Sequence, residues 1–162
     1  MPQVSTVPPE ALPQIPSALQ VEHRVIHEAL LRATKAPGDI GTAARELAGA
    51  LHDHFVREEE IALPPLGLLA ALARGELTPE MRAVLPMTEA LRAELPRMLD
   101  EHQAIHAATR RLGEVARKAG NAEVQQLAEA LALHAQSEEE VFYPAALLVG
   151  EVVESRSQAH GS

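Results

Sequence analysis

HAQSEEEVFYP, residues His134–Pro144, has a near copy eighty positions earlier in HFVREEEIALP, residues His54–Pro64. In each copy a His is followed four residues later by a Glu, then by two more Glu, apolar residues and a Pro. On a helix, positions four apart lie on one face, roughly 40° apart in projection. The pairs His54/Glu58 and His134/Glu138 therefore each present an imidazole and a carboxylate to one point. A second repeated phrase stands upstream of each copy, EHRVIH at Glu22–His27 and EHQAIH at Glu101–His106. Six of the eight histidines fall in these four segments, so the repeat is where chemistry is expected.

The repeat also predicts the architecture. His23 and His27 map onto His102 and His106 at an offset of 79, and His54, Glu58 and Pro64 map onto His134, Glu138 and Pro144 at an offset of 80. Two helical hairpins, each with His on its first helix and His-x-x-x-Glu on its second, pack as a pseudo-symmetric, all-α, up-down four-helix bundle. Inward Glu and His from four helices are the ligand pattern of two-metal sites in bundle cores. Two pseudo-equivalent ligand sets suit two metals bridged by two carboxylates.

Composition bounds the rest. A chain of 162 residues is expected to form one domain with a real core. Apolar residues make up 46%, yet Phe55, Phe142 and Tyr143 are the only aromatics, so the core rests on Leu, Ala, Val and Ile, a helix-forming mix. A net charge of −9 argues against nucleic acid or an anionic membrane surface as partner. Without Cys there is no disulfide, thiolate ligand or iron–sulfur cluster, and any metal must rest on His and carboxylate. No apolar run reaches transmembrane length, and the start MPQVSTVPPE lacks a basic region followed by an apolar core. A soluble, cytoplasmic protein is the expectation.

Read in order, residues 1–17 form a Pro-rich arm, residues 18–149 the bundle, and residues 150–162 a polar, frayed tail. Ser17 is expected to cap a first helix reaching about Lys35, and Asp39 or Thr42 a second reaching about Leu63. Residues 66–95 read as a connector with one or two short helices, broken by Pro86 and Pro96. Pro96 suits the first turn of a third helix to about Lys118. Asn121 caps a fourth, which runs to about Tyr143 before Pro144 disrupts it.

The order His23, His54-x-x-x-Glu58, His102, His134-x-x-x-Glu138 resembles the hemerythrin-like (HHE cation-binding) family over roughly Leu19 to Leu148. The resemblance implies a four-helix bundle around a non-haem di-iron centre, bridged by the two carboxylates and an oxo or hydroxo group. Oxygen-carrying hemerythrins have His-x-x-x-His on the third helix, as His102 and His106 do here, but one ligating His on the first. This chain offers two there, His23 and His27. With all six histidines bound, two irons are saturated. With His23 and His102 alone beside His54 and His134, positions stay open to small oxidants. The predicted metal ligands are His23, His27, His54, Glu58, His102, His106, His134 and Glu138, with both His27 and His106 expected to bind at rest.

Iron is preferred, although Zn or Mn accepts the same ligands. The expected function is binding or redox chemistry of a small oxidant (O2, H2O2 or NO), with peroxide breakdown a reasonable activity. The alternatives are an oxygen, iron or redox sensor, or a metal-stabilised structural bundle. Among the remaining residues, Glu59, Glu60, Glu139 and Glu140 read as a solvated acidic rim, with Glu139 as a fallback bridge. Phe55 and Phe142 are expected to pack around the site, and His52 to be exposed. Tyr143, about 140° from Glu138 on an α-helix, is expected to serve core or interface packing rather than a redox role.

Overall fold

Helix α1 (Ser17–Thr34) buries His23, Ile26, Leu30 and Ala33, the three-and-four spacing of one helical face. This computed structural model describes residues 13–161, so most of the Pro-rich arm lies outside the described residues. Helix α2 (Gly38–Arg57) continues into a single π turn at Glu58–Ala62. Two 3-10 turns, Pro64–Leu68 and Pro79–Val84, flank the short α3 (Leu69–Ala73). Then follow α4 (Leu85–Lys118), α5 (Ala122–Ser137), a second π turn at Glu138–Phe142, and α6 (Tyr143–His160). The described residues contain no strand.

Helices α1, α2, α4 and α5 close a ring, α1 on α2, α2 on α4, α4 on α5 and α5 on α1, as the repeat of two hairpins predicts. One turn from each of His23, His54, His102 and His134 stands a buried apolar residue: Ile26, Leu51, Ile105 and Leu131. That layer begins one core, which continues through Leu30, Leu47, Leu112 and Leu127. A second core of Ala62, Leu63, Leu66, Leu91, Met98, Tyr143 and Ala146 lies on the other side. The histidines thus form a polar layer between two apolar blocks.

Several expectations about element ends change. Asn121 caps α5 as predicted, accepting the Val124 N–H at 3.1 Å, after Gly120 has turned the chain at φ +67°. Ser17, Asp39 and Thr42 do not cap; α1 and α2 start after Pro16 and Pro37 with no side-chain cap. Pro96 does not begin the third helix but lies inside α4. A Pro in a helix interior costs about 3 kcal/mol, yet Leu91 and Met98 on either side are buried, each such burial contributing roughly 1.5–3 kcal/mol. Pro96 and Arg92 are exposed, so the carbonyl that loses its N–H partner faces solvent.

The polar tail is also helical, because α6 reaches His160. Val149 and Val153 anchor it by packing with Leu72, Met81 and Val84 of the connector. Gly150 lets α6 lie against α4, since a Cβ there would meet Thr88 Oγ1 at 2.3 Å. Among the described residues no helix is long and apolar enough to cross a membrane.

Candidate metal centre

Each long helix of the ring contributes one buried imidazole to the polar layer: His23 from α1, His54 from α2, His102 from α4 and His134 from α5. They face one another in two pairs through Nε2, at 2.8 Å for His54–His102 and 2.9 Å for His23–His134. Glu58 and Glu138, each at the start of a π turn, lie between the pairs and are almost wholly inaccessible.

Each carboxylate spans both pairs. Glu58 Oε1 is 3.1 Å from His54 Nε2 and 3.9 Å from His102 Nε2, while its Oε2 is 3.9 Å from His23 Nε2. Glu138 Oε2 is 3.1 Å from His102 Nε2, while its Oε1 is 3.6 Å from His23 Nε2 and closer still to His134 Nε2. Donor atoms of His54, Glu58, His102 and Glu138 all lie within 4.8 Å of one another, and so do those of His23, His134 and Glu138.

Three of the four outward nitrogens are also engaged. Nδ1–H of His54 donates to Glu101 at 2.8 Å, that of His102 to Glu139 at 2.8 Å and that of His134 to Glu22 at 3.1 Å. His23 Nδ1 faces Glu59 across a looser 3.5 Å. A carboxylate on Nδ1 fixes the tautomer that leaves Nε2 as a free lone pair, which is how a metal-binding imidazole is held. Here two parts of the sequence reading are corrected. Glu139 turns in towards His102 and His106 instead of joining a solvated rim, while Glu59 stays exposed as expected. Glu22 and Glu101, to which the motif gives no role, back His134 and His54. The signal was available, because both upstream phrases begin with Glu.

The charge state of the cluster's own side chains points the same way. Burial works against charge on every imidazole, but the carboxylates win. Glu138 and Glu58 raise His23, and Glu58 and Glu101 raise His54. His134 is pushed up to about 9 and His102 to about 10, chiefly by Glu138. Burial favours neutral Glu138, yet bonds from His102, His134 and His23 hold it well below the usual carboxylate range. Buried, ionised Glu138 thus draws protons onto the surrounding imidazoles, a role a metal cation fills better. Glu58 Oε2 and Glu138 Oε1 are buried without a well-formed hydrogen bond, a costly condition that a cation between them would remove. The residues present fit a metal.

Residues 14–146 match the Hemerythrin HHE cation binding domain. The chain belongs to the hemerythrin HHE cation-binding family. No curated protein and no solved structure matches it. Six of the eight predicted hemerythrin-type ligands converge: His23, His54, Glu58, His102, His134 and Glu138. The other two stand apart. His106 is half-buried, 2.9 Å from Glu139 Oε1, and forms an outer group with His102 and Glu139. His27 is exposed on α1, at a cavity of about 520 Å³ between α1 and α2. That cavity reaches His23, and exposed His52 is also in its lining. Phe55 stacks on His23 with ring centroids 4.8 Å apart, and Phe142 lies 6.4 Å from the His134 ring, so both pack around this hemerythrin site as expected.

Tyr143 packs in the second core as expected, and its hydroxyl does more than that. Its hydroxyl enters the cluster, donating to Glu58 and lying 3.1 Å from His102 Nε2, 3.3 Å from His54 Nε2 and 3.4 Å from Glu138 Oε2. The cause is the π turn, in which Tyr143 N–H bonds to the Glu138 carbonyl five residues back. With one extra residue in the turn, position five takes the place that position four holds in an α-helix. Burial and the two carboxylates push its phenol far above its usual range, so in the metal-free cluster it is a hydrogen-bond donor.

Proposed function

We propose that this hemerythrin-family protein is a non-haem di-iron protein that binds or reacts with a small oxidant, O2, peroxide or NO. The observation that carries the reading is the pair of buried carboxylates, each directing one oxygen to the His54–His102 pair and the other to the His23–His134 pair. In this reading His54 and His102 would hold one ion and His23 and His134 the other, with Glu58 and Glu138 offering an oxygen to each. His27 and His106 stay outside the ligand set, His106 steadying Glu139. Imidazole-plus-carboxylate sets suit iron, and iron so bound supplies one-electron redox chemistry and coordination positions for a small ligand.

The chain's own residues do the rest. Glu22, Glu101 and Glu139 orient imidazoles, the apolar layer of Ile26, Leu51, Ile105 and Leu131 keeps water from one side, and Phe55 narrows the approach from the α1–α2 cavity. Four protein donors per ion leave positions free, and the approach past Phe55 favours the His23–His134 side.

Azide titration of the iron-loaded protein, followed by its charge-transfer band, tests this. Wild type is expected to bind azide readily and His27→Ala to titrate identically. A centre that resists azide until His27 is removed would restore His27 as a ligand and contradict the open site.

A further inference from the structure

The two ligand pairs are related by the internal repeat, but the repeat is broken at one buried position. Tyr143 corresponds to Leu63, and both are buried to within 1% of full exclusion. Both are reached through the same device, since Leu63 N–H bonds to the Glu58 carbonyl at 2.9 Å across the first π turn as Tyr143 N–H does to Glu138 across the second. One copy of the repeat therefore brings an oxygen to the cluster and the other brings only methyl groups. The oxygen is not placed midway. It has His54 Nε2, His102 Nε2, Glu58 Oε1 and Glu138 Oε2 around it at hydrogen-bonding range. These are the four donor atoms of one metal position.

We propose that Tyr143 is a fifth protein ligand to the ion held by His54, His102, Glu58 and Glu138, which makes the two metal positions chemically different. The proposal rests on the two-metal reading above. When the ion binds, the phenol O–H that points to Glu58 gives way to an oxygen–metal bond, and the proton leaves to solvent. A bound cation inverts the local preference for a neutral phenol, as it does for coordinating thiols and water. The Tyr143 position is then closed by protein on five sides. The His23–His134 position, with Leu63 as the repeat's counterpart and the α1–α2 cavity beside His23, is the one left for an external ligand.

Tyr143 is the chain's single tyrosine, and there is no cysteine. A phenolate-to-ferric charge-transfer band can therefore arise from this residue alone. The experiment is iron analysis with visible absorption and resonance Raman spectroscopy on the full-length ferric protein, grown with ordinary or ring-deuterated tyrosine. Expected are two irons per chain, a visible band whose excitation enhances tyrosine ring modes, and an isotope shift of those modes. Tyr143→Phe is expected to keep two irons and lose the band. If that variant fails to fold, the isotope shift in wild type decides alone. Two irons per chain without tyrosine modes would overturn the proposal and leave the di-iron reading standing. Failure to take up iron would overturn both.

Discussion

At the scale of single residues, the proposed function is divided between six candidate donors and the carboxylates behind them. Glu101 and Glu22 touch no metal position in the proposed arrangement, but each fixes an imidazole through Nδ1. Glu101→Ala and Glu22→Ala are expected to lower metal affinity about 10–100-fold while keeping the ligand set. Competition with a chelator measures this, and wild-type affinity in both variants would count against the supporting role. His54, Glu58, His134 and Glu138 were legible because i, i+4 pairs declare a shared face. His23 and His102 were legible because the repeat sets one before each pair, whereas the same i, i+4 spacing misplaced His27 and His106. Tyr143 was not legible. Five residues from Glu138, it projects away on an ordinary helix, and nothing in the apolar periodicity writes a π turn. The available hint was positional: Pro144 follows Tyr143 as Pro64 follows Leu63, and a Pro already forfeits its backbone donor.

At the scale of elements, the same prolines and turns explain which boundaries could be read. Gly120 and Asn121 ended one helix and began the next by local rules, so the sequence reading placed that turn. The long α4 and the helical tail depend on contacts between distant segments, which local propensity does not report. Pro96 is tolerated because its face is solvated while Leu91 and Met98 are buried. The tail is held by Val149 and Val153, a four-residue spacing within an otherwise polar stretch. Its approach to α4 is set by Gly150 beneath Thr88. Gly150→Ala is expected to destabilise the metal-free protein by about 1–3 kcal/mol, the usual cost of overpacking, although Ala is the better helix former. Urea unfolding checks it, and a stabilised variant would mean that α6 is not packed there.

At the scale of the whole molecule, the bundle confines two glutamate side chains among four imidazoles, and its stability must follow the protonation of Glu138 and the imidazoles. His102 and His134 titrate at about 10 and about 9 in the metal-free protein, above their unfolded value. Their contribution is therefore complete below the ordinary imidazole range and is lost as pH rises through about 9 and about 10. Glu138 is shifted the other way, so its contribution is present above the usual carboxylate range and lost in acid. Metal-free protein is expected to lose stability on both sides of mildly acidic pH. Iron-loaded protein is expected to lack the alkaline loss, because metal replaces the protons, and to shed iron in acid as protons compete for the imidazoles. Parallel urea titrations across this range check it, with equal alkaline losses in both forms as the adverse result.

Anaerobic ferrous titration of the metal-free chain, in wild type and Glu138→Ala, tests the central claim most directly, because Glu138 is one of the two carboxylates both proposed metal positions share and stands in both donor groups. The wild type is predicted to take up two irons per chain, with thermal stability rising until the second is bound. Glu138→Ala is predicted to lose most of this uptake, while Glu60→Ala, altered at an exposed neighbour on the other π turn, behaves as wild type. Two irons bound by Glu138→Ala with unchanged spectra would contradict a site bridged by that carboxylate.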